Sequence, residues 1–286
     1  MSTIKWVSYS GYEGWSHWGD LRLREIVTGD SPVQIYLRLV TEAEGGHWDA
    51  VQCYDAGIMT AGPIQLTARW GLLQNFLWEC LLDSPGRFSE LFFAPMFNRR
   101  YWLAPLIGDN ITKLTGHQAV FRMGPDDDPK FSRVDLQRVY LGSSSGLKSS
   151  WDSESKQIAR SWVEALVALL KDTAFHEIIL EVQTQQMMSF LSAETQQILI
   201  SRTGEDRLPS GHKAVDIATG VFLGYAINNP RSAQRALLEA QQWAGGSDVP
   251  FHEQLMVAAS GPGMVHTFPA RTRAMQKQLA REFAAA

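Results

Sequence analysis

The chain has 286 residues, of which 45% are hydrophobic and 20% are charged, and its formal net charge is −4. A composition of this kind is typical of a folded enzyme and excludes extended disorder. The mild negative charge and the lack of a basic run argue against nucleic-acid binding, because clustered Lys and Arg are what neutralise phosphates.

The first forty residues divide into an arm and a helix. Residues 1–30 place aromatic side chains among glycines without a sustained period, which predicts an irregular N-terminal arm. A helix is predicted from Pro32, because Ser31 can cap it and proline suits the first helical position. Its apolar residues follow at helical spacing: Val33, Tyr36, Leu37 and Val40. Gly45 and Gly46 are expected to end it.

A small hairpin is predicted directly after this helix. The segment 49–65 has the pattern of two short strands folded about Asp55, Ala56 and Gly57. Two helical segments are predicted next, at 68–82 and, entered through Pro85, at 84–97.

The second half of the chain is predicted to be helical. The run GSSSGLKSS at 142–150 indicates a flexible connection and a boundary between two lobes. Later segments carry apolar residues at helical spacing, at 155–172, 175–191, 213–227, 231–244 and 272–286. We therefore expect an α+β, mainly helical fold. It would form one two-lobed domain over residues 1–286, with a small β-hairpin sheet after the first helix and a helical second lobe.

Cysteine and histidine usage implies neither disulfides nor a bound metal or cofactor. Cys53 and Cys80 are too few for a disulfide framework, and we expect both to be buried as small apolar side chains. The histidines lack H-x-x-x-H and H-E-x-x-H spacing. The N-terminal segment has no apolar signal core and no run of 18 apolar residues occurs, so we expect synthesis in the cytoplasm and no membrane insertion.

Two glutamates near the end of the predicted helix occupy different faces. Glu44 falls on the apolar stripe, about 20° from Val33, whereas Glu42 points to the opposite side. Lost hydration and the free carbonyls of the helix end are expected to raise the pKa of a carboxyl at position 44. Glu44 is therefore the candidate general acid, because such an acid must hold its proton near neutral pH. The alternative is a glutamate that only closes the helix near the surface.

Asp55 and Thr60 complete the candidate catalytic set. An inverting glycosidase needs a second carboxylate as base, roughly 6.5–9.5 Å from the acid, with a water between them. Asp55, at the hairpin turn, would be this base, and Thr60, across the hairpin, would hold the same water through its hydroxyl. A mechanism that uses Glu44 alone, with Asp55 as a turn residue, is the alternative.

The spacing Glu44-x10-Asp55-x4-Thr60-Ala61-Gly62, on a helix end, a turn and a second strand, resembles the lysozyme superfamily. Phage-type lysozymes carry Glu, Asp and Thr in this order, with a glycine two places after the Thr. The segment 55–62 is also similar to the D-x-G-x-x-T-A-G segment of chitosanases. The resemblance covers residues 32–65 only, and it implies Glu44 as general acid, Asp55 as general base and Thr60 as the water-positioning residue.

Four further residues are candidate substrate contacts. Gln65 resembles the glutamine of the transglycosylase G-x-x-Q segment and would bind an N-acetyl group, or else brace the hairpin. His47 and Trp48 directly follow the acid and would touch a sugar, to which indole rings offer apolar faces; a surface position for His47 and a core position for Trp48 are the alternatives. Asn228, between two predicted helices, would line the far wall of a cleft, whereas Asn229 is expected to cap the helix that starts at Pro230.

The resemblance implies a muramidase, a lysozyme that hydrolyses the β-1,4 bonds of bacterial peptidoglycan in a groove between two lobes. Such an enzyme would reach the cell wall through phage lysis, a phage tail or a bacterial secretion machine. Delivery machinery and an immunity protein are therefore the expected partners besides the polysaccharide. A chitosanase or chitinase is the second interpretation, and a catalytically inactive lysozyme-like adaptor, docked through residues 1–30, is the third.

Overall fold

The computed structural model of the chain describes residues 3–9, 12–40, 46–54, 57, 59–63, 65–68, 72–93, 153–243 and 248–283. The chain divides into two compact units. The first unit combines Met1–Arg22 with His47–Val182, and the second combines Leu23–Gly46 with Gln183–Ala286. Helices make up most of the described chain beside one small antiparallel sheet, which confirms the α+β, mainly helical class. The run 142–150, expected to be a boundary, lies outside the described residues.

The first unit contains a five-stranded antiparallel sheet in the order β1-β2-β3-β4-β5. Its strands are β1 (Lys5–Tyr9), β2 (Tyr12–His17), β3 (Val51–Gln52), β4 (Thr60–Ala61) and β5 (Leu66–Thr67). The hairpin expected within residues 49–65 is confirmed as β3 and β4, and β5 extends the sheet beyond it.

The prediction of an irregular arm at residues 1–30 is wrong over Lys5–Tyr9 and Tyr12–His17, which are strands, and over Leu23–Ile26, which is a short helix. β1 and β2 pair, with Trp6 opposite Trp15 and their rings edge to face at 5.2 Å. Such an aromatic cross-strand pair stabilises a hairpin. Gly14 lies within β2 and does not break it. A Cβ at this position would lie 2.5 Å from the Cys53 carbonyl oxygen. The glycine instead permits a close approach of two backbones.

Four of the described α-helices belong wholly or partly to the first unit. They are α3 (Leu72–Asp83), α4 (Pro85–Phe88), which continues as a π-helical turn over Ser89–Phe93, α5 (Ser153–Lys171) and the start of α6 (His176–Met188). α5 contacts β2 and β3, and the Trp15 indole N–H donates to the Lys156 carbonyl at 2.7 Å. Beneath α5, the Phe92 ring lies 5.3 Å from the Trp162 ring. Aromatic packing and this hydrogen bond thus fix α5 to the unit.

The second unit is a cluster of helices around one helix that is almost entirely buried. Its elements are α1 (Leu23–Ile26), α2 (Pro32–Val40), α7 (Ala193–Thr203), α8 (Ala214–Ala226), α9 (Pro230–Gln242), α10 (Phe251–Ala259) and α11 (Phe268–Gln278), with π-helical Leu279–Phe283 at its end. α8 is buried from Ile217 to Ala226 and contacts α2, α7, α9 and α10. Because α8 is apolar all round, it needs partners on every side.

The helix expected before the hairpin is confirmed in its start and in its buried stripe. α2 begins at Pro32, and the Gln34 backbone N–H donates to Ser31 Oγ at 3.3 Å. Every member of the expected stripe is buried: Val33, Tyr36, Leu37 and Val40. Gly220 brings α8 close to this helix, because a Cβ there would stand 2.8 Å from Ile35 Cγ2.

Two other local predictions are confirmed. Cys53 and Cys80 are both buried and unbridged. Asn229 Oδ1 accepts a hydrogen bond from the Ser232 backbone N–H at 3.0 Å and so caps α9, as expected of an asparagine before Pro230. Within the described residues, no helix combines the length and the apolar character that crossing a membrane requires.

Candidate active site

The two predicted catalytic carboxyl groups, Glu44 and Asp55, lie outside the described residues. The structure describes the elements that flank them. α2 is described as far as Val40, four positions before Glu44, and β3 ends at Gln52, three positions before Asp55. The stripe on which Glu44 would continue is buried as far as Val40. The described elements stand in the order that the sequence predicts, a helix followed by a hairpin.

Thr60 begins β4 and is buried, with 3% of its surface exposed. It pairs with Gln52 of β3 on one side and with Thr67 of β5 on the other. Directly paired residues of antiparallel strands carry their side chains on the same face of the sheet, so Gln52, Thr60 and Thr67 form a polar row across three strands.

Gln65 lies in the tight turn that joins β4 to β5. Its φ of 54° places it in the left-handed region, which is uncommon for a residue other than glycine. Gly62 at φ 76° shares the turn, and the Gln65 backbone N–H donates to the Gly62 carbonyl at 3.3 Å. The side chain is exposed. This position is compatible with both predicted roles, a ligand contact or a brace of the hairpin.

Trp48 is fully buried in the first unit. Its indole N–H donates to the Leu170 carbonyl at 3.0 Å, and its ring meets the His176 ring at 4.9 Å. No face of the indole is left for a sugar, so the expectation that Trp48 contacts substrate is corrected to a core role. The physical reason is that the polar tip of the ring, which suits a hydroxyl ligand, is already satisfied by backbone.

His47 is partly buried and forms an isolated antiparallel bridge with Arg22. Its Nδ1 is buried and has no hydrogen-bond partner in the part of the chain that the structure describes. A Cβ at Gly19 would lie 2.4 Å from His47 Cβ, so the backbone is tightly packed there. His47 is thus less exposed than a pure surface residue.

Asn228 lies in the second unit, directly after α8, and is exposed. When its amide oxygen faces Arg271, it accepts hydrogen bonds from Nη2 at 2.7 Å and from Nε at 2.9 Å. The Arg271 side chain also donates to the Gly224 carbonyl at 2.8 Å, which anchors the guanidinium at the end of α8. Asn228 therefore binds Arg271 at the end of α8, a structural contact that the sequence did not predict.

A buried cluster of charged groups in the first unit was missed by the sequence analysis. Asp49 has no exposed surface, and its Oδ2 lies 3.1 Å from His17 Nε2 and 3.4 Å from Lys171 Nζ. Its Oδ1 accepts the backbone N–H groups of Asp20 and Leu21 at 2.8 and 2.9 Å. Lys171 Nζ also binds Asp20 Oδ2 at 2.6 Å. The dipeptide His-Trp occurs at 17–18 and at 47–48, with Asp20 two positions after the first copy and Asp49 directly after the second, and this repeat could have indicated the cluster.

Burial raises the pKa of Asp49, but hydrogen bonds from His17 and from the backbone of Leu21 and Asp20 outweigh it and hold the pKa well below its usual range. Asp49 is therefore ionised. His17, Asp20 and Asp49 bring three potential metal-ligand atoms within 4.8 Å of one another. The Lys171 ammonium already supplies a positive charge at that point, so the cluster is a satisfied ion network that ties β2, α5 and the segment before β3 together.

The described candidate residues fall into three groups. Thr60 and Gln65 share the β4–β5 hairpin, His47 and Trp48 precede β3, and Asn228 follows α8. Comparisons of the chain with models of known protein families, with curated proteins and with solved structures found no match.

Proposed function

We propose that this protein is a muramidase, a glycoside hydrolase that cuts β-1,4 bonds of bacterial peptidoglycan, on a lysozyme-like fold. The observation that carries the proposal is the position of Thr60. The resemblance requires this residue on the second strand of a hairpin that follows the acid helix, and Thr60 begins β4 directly opposite β3. The buried stripe of α2, which leads toward Glu44, supports the same interpretation.

The proposed reaction is a single displacement with inversion at the anomeric carbon. Glu44 donates its proton to the glycosidic oxygen as the bond from that oxygen to the anomeric carbon breaks. Asp55 takes a proton from a water that attacks the opposite face of the sugar ring, and the water oxygen forms the new bond. Thr60 orients this water through its hydroxyl. The products are two shorter glycans. At the end of the step Glu44 has lost one proton and Asp55 has gained one.

The substrate test compares two polymers. Purified chain would be incubated with insoluble peptidoglycan and with chitosan, and the release of reducing ends would be measured for each. The proposal predicts release from peptidoglycan and its loss in Glu44→Gln. Release from chitosan alone would favour the chitosanase interpretation, which the Asp55–Gly62 segment also supports. No release from either polymer by a folded chain would contradict the proposal and favour a catalytically inactive adaptor.

A further inference from the structure

A cavity in the second unit carries charges of both signs that do not pair with one another. It has a volume of about 480 Å³ and lies between the end of α7, the loop at 204–213 and the start of α10. That volume is within the range of small-molecule sites. Arg202 and Arg207 supply two guanidinium groups to its lining, and Asp206 and Asp248 supply two carboxylates. Among the described residues, no ion pair joins either arginine to either aspartate.

The arginine at the end of α7 is held in a fixed orientation. Arg202 Nη2 donates to the Trp243 carbonyl at 3.0 Å and to Gln254 Oε1 at 3.4 Å, and the guanidinium lies 5.4 Å from the centre of the Phe251 ring. Its Nε is buried and has no hydrogen-bond partner within the described ranges. Arg202 lines the cavity, so its fixed positive charge attracts an anionic group placed there.

The start of α10 adds to the attraction for an anion. This nine-residue helix begins after Pro250 with no side-chain cap, so its first turn presents backbone N–H groups and the positive end of the helix dipole. His252 in the same turn is 4% exposed, and burial lowers its pKa to about 4. Its neutral imidazole offers a hydrogen bond near neutral pH without adding charge.

A second, largely apolar cavity adjoins the first, and we call it the recess. It has a volume of about 320 Å³, shares Leu208, Pro209 and His252 with the first cavity, and is lined further by Met256, Leu279, Ala280 and Phe283 together with Glu253 and Gln276. A ligand whose charged part lies among the arginines and aspartates can therefore place an apolar side chain in this recess.

We propose that this pair of cavities binds an apolar amino acid or a short apolar peptide with a free carboxylate and a free ammonium group. The carboxylate would lie toward Arg202, Arg207 and the start of α10. The ammonium would lie toward Asp206 and Asp248, and the side chain would fill the recess. This inference rests on residues of the second unit alone and does not depend on Glu44 or Asp55.

The test uses L-leucyl-L-leucine with both termini free, its N-acetyl derivative and its C-terminal amide. Binding to the full chain would be followed by two-dimensional NMR, through the backbone amides of Phe251 and His252 and the Arg202 Nε–H signal. We expect saturable shifts with the free dipeptide. We expect affinity at least about tenfold weaker for each blocked form, because each lacks one charge-assisted interaction.

Single-charge variants then assign the two ends of the ligand. Asp248→Asn should weaken the binding of the free dipeptide and of the amide but leave the affinity for the N-acetyl form unchanged. Arg207→Gln should weaken the binding of the free dipeptide and of the N-acetyl form but leave the affinity for the amide unchanged. Glu194→Gln and Arg273→Gln serve as matched controls, because both positions are exposed and belong to the same unit. Equal affinity for all three ligands, no shift at about 10 mM dipeptide, or variants that behave as the controls do would each overturn the proposal.

Discussion

The imidazole of His17 lies 3.1 Å from the carboxylate of Asp49, and neither side chain has more than 2% of its surface exposed. Because Asp49 is ionised and can only accept, His17 Nε2 is the donor of this hydrogen bond. A buried carboxylate with four hydrogen-bonding partners is stable only while those partners remain, so the pair is sensitive to the loss of either member.

Asp49→Asn should lower the free energy of unfolding by about 3 kcal/mol, because it leaves the buried His17 without its anionic partner and removes one of the two carboxylates that contact Lys171. Asp20→Asn is the matched control. Asp20 is partly exposed, so its loss should cost less than about 1 kcal/mol. Chemical denaturation at pH 7 measures both. Equal losses in the two variants would show that Asp49 is not the centre of the network.

The stability that the His17–Asp49 pair contributes should depend on pH in acid. The pKa of Asp49 lies below its ordinary value of 3.8, so the unfolded chain binds the proton more readily than the folded chain does. The stability that Asp49 contributes should therefore be constant above about pH 4 and decline in stronger acid. The difference in the free energy of unfolding between the native chain and Asp49→Asn should become smaller in the same pH range.

His252 should produce a second pH dependence at milder acidity. Burial lowers its pKa from 6.5 to about 4, so between these values the unfolded chain is protonated at this position and the folded chain is not. Lowering the pH through that window should reduce the free energy of unfolding by up to about 3 kcal/mol. His252→Gln should remove this slope, whereas His266→Gln, at an exposed position, should retain it. An unchanged slope in His252→Gln would contradict the assignment.

Thr60→Val should lower the rate of peptidoglycan hydrolysis by about ten- to a hundredfold, because it removes the hydroxyl that we propose orients the attacking water. Thr60→Ser keeps the hydroxyl and should retain most of the rate. Thr67, its direct partner on β5, provides the control. Thr67 Oγ1 is buried without a partner among the described residues, so Thr67→Val should be neutral or stabilising by about 1 kcal/mol and leave the rate unchanged. Equal rate losses in Thr60→Val and Thr67→Val would reject the role of Thr60.

Features set by neighbouring residues were predicted from the sequence. The start of α2 follows from Ser31 and Pro32, and the cap of α9 follows from Asn229. The β3–β4 hairpin follows from a short apolar pattern interrupted by turn residues. In each case the deciding interactions lie within a few positions along the chain.

Features set by distant residues were not predicted. The glycines near β1 and β2 indicated a loop, but Gly14 serves the close approach of Cys53, which is 39 residues away in sequence. The ion network joins His17, Asp49 and Lys171 across most of the first unit. Trp48 carries no local sign that its indole N–H reaches Leu170. Such contacts depend on how the elements pack, which local periodicity does not contain.

The proposed reaction requires Glu44, and not Glu42, as the proton donor. The most direct measurement compares the rates at which Glu44→Gln and Glu42→Gln release reducing ends from peptidoglycan, after circular dichroism has shown that both variants are folded. We expect a loss of more than about 100-fold for Glu44→Gln and a nearly native rate for Glu42→Gln. A native rate for Glu44→Gln, or a loss confined to Glu42→Gln, would contradict it.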